Sequence, residues 1–174
     1  MSKELKRNPA KALKLKEQVR SAFADVPYPG DKNIVQGSSL EAKEIESFFK
    51  GKRWEEITLE SLKTNPPMDS SAGLSFMTKE AFQYYLPAYL MIAIDHKSEA
   101  DVIPEFTIRA LCIPEIPKPD RDRYHLRVEN FTAAQRRAIK AVLEYVRELF
   151  EGLPHAKFYA PTLASIQYWS EASV

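Results

Sequence analysis

This chain of 174 residues has one cysteine, five glycines and three histidines, and its formal net charge is only +1. Each scarcity excludes something. A lone Cys112 cannot form an intramolecular disulfide, so nothing demands an oxidising compartment. So few glycines leave no G-x-G-x-x-G, no P-loop and no G-x-S-x-G, the loops that bring backbone close to phosphates or present a nucleophile. His96, His125 and His155 lack the H-x-x-x-H or H-E-x-x-H spacing that sets two metal ligands on one helix face. A near-neutral charge gives no global field to hold nucleic acid or an acidic membrane. The carboxylates are too evenly scattered to nominate an acid/base pair. No catalytic, cofactor-binding or metal-ligating residue is nominated, and no cofactor is expected.

What remains is the composition of an ordinary globular chain, 44% hydrophobic and 28% charged, long enough to bury a core as one domain over 1–174. The first 20 residues carry seven cations against Glu4 and Glu17. Ala12, Leu15, Val19, Ala22 and Phe23 recur at steps of three and four between those cations. That is the pattern of a helix with a solvated basic face, expected over Pro9–Asp25. No aromatic residue is interleaved before Phe23, so a stacking platform for bases is missing. Residues 1–8 are expected to be a disordered basic terminus. No apolar run of signal-peptide length follows them, so the expected location is the cytoplasm.

The longest apolar stretch is "LSFMTKEAFQYYLPAYLMIAI", residues 74–94, uncharged from Ala81 onward. Thr78 suits a helix N-cap and Glu80 the positive helix end. Met77 and Phe82 have the spacing of a hydrophobic staple. The helix expected over 79–94 is about 24 Å long, short for a bilayer, and Pro87 should kink it. Runs of this kind are core helices more often than membrane spans. The expected fold is therefore mainly α, a single-domain bundle around a central kinked helix. Tyr84, Tyr85 and Tyr89 should direct their hydroxyls to polar partners.

Flanking elements follow from start and stop signals. Ser38 with Glu41, and Thr132 with Gln135, have capping-box spacing. Thr58 would cap a short helix holding Leu59 and Leu62. Pro27-Tyr28-Pro29-Gly30-Asp31 and Asn65-Pro66-Pro67 break the chain. Ala138, Ile139, Val142, Leu143, Val146, Leu149 and Phe150 form a broad helical stripe, ended by Gly152 and Pro154. Residues 105–113 and 123–130 alternate, with Phe106, Ile108, Ala110 and Cys112 on one side and Tyr124, Leu126 and Val128 on another. They read as one short β-hairpin joined by a Pro-rich loop with Pro114, Pro117 and Pro119; a short helix at 101–112 is the alternative. The tail, with Leu163, Ile166, Tyr168 and Trp169, reads as one docking helix.

The block "LSFMTKEAFQYYLPAYL" at 74–90, preceded by Trp54 and Leu62 and followed by "FTAAQRRAIKAVLEYV", resembles an uncharacterised bacterial protein family. Its members share a Leu-x-Phe-Leu/Met-Thr/Ser-x-Glu-Ala-Phe-x-Tyr-Tyr-Leu-Pro-Ala core. The resemblance spans residues 45–150 and implies a compact domain without assigning a role to any residue.

Two functions are carried forward. One is a non-enzymatic protein-binding module, concretely a bacterial immunity or inhibitor protein acting on a toxin or enzyme, with Tyr159, Tyr168 and Trp169 as candidate anchors. The other is a small-ligand-binding protein or hydrolase with a pocket near Pro87 and His96, lined by Tyr84, Tyr85, Tyr89 and His96. Asp95, His96, Glu99 and Asp101 could make half a metal site, but a His ending a helix is explained by the helix dipole. Cys112 reads as a buried small hydrophobe rather than a nucleophile.

Overall fold

A computed structural model describes residues 8–64, 73–95, 100–113, 120–151 and 160–170. The fold is mainly α. Its helices are α1 (Pro9–Phe23), α2 (Leu40–Phe49), α3 (Leu59–Thr64), α4 (Gly73–Phe76), α5 (Lys79–Asp95), α6 (Ile103–Leu111), α7 (Asp120–Val128), α8 (Ala133–Phe150) and α9 (Leu163–Tyr168), with a 3-10 turn at Trp54–Glu56. Among the described residues no helix is long and apolar enough to cross a membrane.

α5 is the centre. From Ala81 to Ile94 only Gln83 and Met91 are not buried, so the helix has hardly any solvent face. α1, α6, α7, α8, α4 and the 3-10 turn all pack on it. Its start is the expected one: Thr78 Oγ1 accepts from Ala81 N at 3.1 Å and donates to the Asn33 carbonyl at 2.8 Å. Met77 and Phe82 are both buried beside that cap. Pro87 lies inside the helix, which continues through it to Asp95. An antiparallel bridge, Val35 to Met77, ties the 31–37 loop to this junction.

α1 lays Leu15, Val19 and Phe23 on the core and packs on α5 and α8. Pro9 stands in its first turn, and the Asn8 side chain accepts from Lys11 N, so the helix start is satisfied locally. α8 begins with the full capping box of Thr132 and Gln135. Its wide apolar stripe is buried from Ala138 to Phe150. The α2 cap is Ser39, whose hydroxyl accepts from Ala42 N at 3.2 Å. The Ser38–Glu41 box is therefore one residue early, because either of two adjacent serines can fill a cap and the packing of Ala42, Ile45, Phe48 and Phe49 chooses between them.

The hairpin expectation is overturned. Residues 103–111 and 120–128 are helices. In α6 the buried positions are Ile103, Pro104, Thr107, Ile108 and Leu111, a spacing of three and four, while Phe106 is 38% exposed. In α7 Tyr124 and Val128 are buried one turn apart, and Leu126, between them, is 61% exposed. Over so few residues alternation and helical spacing share most of their apolar positions, and burial against α5 decides for the helix. The expectations for residues 1–7, Asn65–Pro67, the prolines 114, 117 and 119, Gly152 and Pro154 lie outside the described residues.

Candidate functional site

Three segments far apart in sequence enclose a cleft of about 560 Å³. α1 contributes Lys16 and Arg20, one turn apart. The 54–63 segment contributes Trp54, Glu55, Ile57, Thr58, Leu59, Glu60 and Lys63. α5 contributes Ala88, Met91, Ile92 and Asp95, the spacing of one helix face.

Local chemistry holds the 54–63 wall in place. The Glu56 carboxylate accepts from Arg53 N at 2.6 Å, and Ile57 N closes the 3-10 turn on the Trp54 carbonyl at 3.1 Å. Thr58 and Ser61 then exchange hydrogen bonds to start α3: Ser61 N donates to Thr58 Oγ1 at 3.1 Å, and Thr58 N to Ser61 Oγ at 2.9 Å. This turn drives the Trp54 and Ile57 side chains into the protein, where both are buried.

The cleft has an apolar floor of Trp54, Ile57, Ala88 and Ile92, all buried, with half-buried Met91 beside them. Its rim is charged. Lys16 and Asp95 form an ion pair across the gap between α1 and the end of α5. Glu55 accepts from Arg53 at 2.8 Å. Burial pushes the Glu55 carboxyl up, but the Arg53 hydrogen bond, its own backbone N–H and the guanidinium charge outweigh burial and hold it below the usual range.

The residues singled out in the sequence stand elsewhere. Tyr84, Tyr85 and Tyr89 are buried in α5 and do not line this cleft. The Tyr85 hydroxyl donates to the Phe49 carbonyl at 2.9 Å and lies 3.0 Å from that of Lys52. Tyr84 packs edge-on against Tyr28 and Tyr85. His96 and Tyr159 lie outside the described residues. Trp169 is 1% exposed and donates Nε1–H to the Leu111 carbonyl at 2.9 Å, which also accepts from the Tyr124 hydroxyl at 2.8 Å. Tyr168 is half-buried. The Arg136 guanidinium lies 5.0 Å from the rings of both Tyr168 and Trp169 and donates to the Tyr168 carbonyl at 2.6 Å. The tail thus docks on α6, α7 and α8, and the Trp169 ring is a core group.

Cys112 is partly buried, and burial pushes its thiol up, against weaker opposing bonds from Ser165 and the Thr162 backbone. Among the described residues no group of three or more His, Cys, Asp or Glu is placed to hold a metal ion.

The cleft runs along the stretch of α5 between Pro87 and His96, where a pocket is expected, but the tyrosines expected to line it do not. Its one sequence signal is the row Ala88, Met91, Ile92 and Asp95, a stripe on α5 that runs from a small residue to a charged one.

A family model covers residues 11–173, and the chain belongs to that family of unknown function, DUF6714. No curated protein and no solved structure matches the chain.

Proposed function

We propose that this DUF6714 protein is a non-enzymatic binding protein that docks a segment of another protein in the cleft between α1, the 54–63 segment and α5. A bacterial immunity or inhibitor protein acting in the cytoplasm on a toxin or enzyme is the concrete form of this reading. The cleft is the observation that carries it. An apolar floor inside a charged rim is the anatomy of a protein interface. Arginine and tryptophan are the side chains on which interfaces concentrate energy, and the cleft has one of each. The alternative of a small-ligand pocket or hydrolase site near Pro87 has less support, because its three tyrosines are packed into the core.

The test compares affinity capture from host cells by the wild type and by Met91→Arg. The half-buried Met91 position tolerates an arginine whose stem lies on the floor and whose head reaches water. A partner captured by the wild type and lost from Met91→Arg, at an unchanged melting temperature, supports docking in the cleft. Identical capture by both proteins excludes the cleft as the interface.

A further inference from the structure

We infer that the segment docked in the cleft is acidic, an apolar side chain flanked by Asp or Glu whose carboxylates are met by Arg20 and Lys63. This inference rests on the docking reading above. By composition the cleft is neutral, with three cations and three acids among its lining residues. Their pairing is not symmetrical. Asp95 is engaged by Lys16. Glu55 is engaged by Arg53, which does not line the cleft. That leaves Arg20 on the α1 wall, Lys63 on the α3 wall, and Glu60. Among the described residues no acidic side chain pairs with Arg20 or Lys63.

Unpaired cations on an open helix face are ordinary, and water serves them well. These two differ because they flank a concavity floored by the buried Trp54, Ile57 and Ile92. An apolar side chain seated on that floor displaces water from the rim, and a charge pair formed there is stronger than one on an open surface. Glu60 opposes an incoming carboxylate, but it is one acid against two cations. A basic segment would meet the reverse balance, one acid, Glu60, against two cations, and would have to break an existing pair to reach a second acid. Binding should weaken as salt rises, because the pairs at the rim are only partly shielded from solvent.

The test selects random dodecapeptides displayed on phage against the full-length protein. Winners are synthesised with a fluorescein label and titrated by anisotropy. Each is measured on the wild type, on Met91→Arg and on the double variant Arg20→Glu, Lys63→Glu; both reversed positions are exposed. The expected winners carry Asp or Glu beside Leu, Ile, Phe or Trp. They lose at least tenfold in affinity on the double variant, and their Lys-for-Glu counterparts recover affinity on it. Winners that need Met91 but show no acidic enrichment, or that ignore the double variant, overturn the acidic inference and leave the docking reading standing. Failure to obtain any peptide that depends on Met91 overturns both.

Discussion

The Tyr89 hydroxyl sits where a side chain on Gly73 would begin: a Cβ at Gly73 would lie 2.5 Å from that oxygen. Gly73 opens α4 and Tyr89 is fully buried in α5, so neither group can step aside into solvent. Replacing Gly73 by Ala gains up to about 1 kcal/mol of helix propensity. The overlap costs about 1–3 kcal/mol, and it should win. Urea denaturation of Gly73→Ala is expected to show a net loss. Adding Tyr89→Phe should relieve part of it, since the ring carbon that remains is 3.6 Å away, an ordinary contact. A single variant as stable as the wild type would contradict this packing.

Leu86 and Leu90 have no exposed surface. Truncating either to alanine is expected to destabilise the protein by about 2–5 kcal/mol. Wild-type melting curves for both variants would remove α5 from the centre of the core.

Trp169 and Tyr168 are neighbours with different fates. Trp169→Ala removes a buried ring and its hydrogen bond to Leu111, and should cost about 3–5 kcal/mol. Tyr168→Ala acts on a half-buried ring and should cost clearly less. Equal and small losses from the two would show that the tail is not docked as described.

Glu105 has a buried carboxylate oxygen, Oε2, without a hydrogen-bond partner among the described residues. Burial pushes its carboxyl above the usual range, and the Asp101 charge adds to this; its own backbone N–H opposes both. The unfolded chain therefore releases the Glu105 proton at a lower pH than the folded one. Below the ordinary carboxylate range both states hold the proton and Glu105 costs nothing. As pH rises through the raised folded value that stability is lost, because ionisation favours the unfolded chain. Glu105→Gln is thus expected to raise the melting temperature at pH 7 and to leave it nearly unchanged near pH 4. A gain of the same size at both values would assign the effect to packing instead of charge.

These elements were not equally legible before the structure. Thr78 and the Thr132–Gln135 box could be read directly, because a cap is settled within four residues. The centrality of α5 followed from its long uncharged run. α6 and α7 could not be read so. Phe106 and Leu126 suggested alternation, but both are exposed, and only packing on α5 shows it. The cleft was less legible still. Lys16, Trp54 and Met91 lie on three segments whose meeting is a tertiary event, and no local pattern links them. The tyrosines around Pro87 suit a pocket or a core equally well by residue type, and the fold uses them as core.

α5 is walled by α1 and the 3-10 turn, which precede it in the chain, and by α6, α7 and α8, which follow it. During synthesis the first walls are available early, but α8 ends only at Phe150. The least charged segment of the protein must therefore wait, partly uncovered, through some 55 further residues. During synthesis the closing of this core waits for its C-terminal wall, and the interval before it leaves apolar surface open to aggregation.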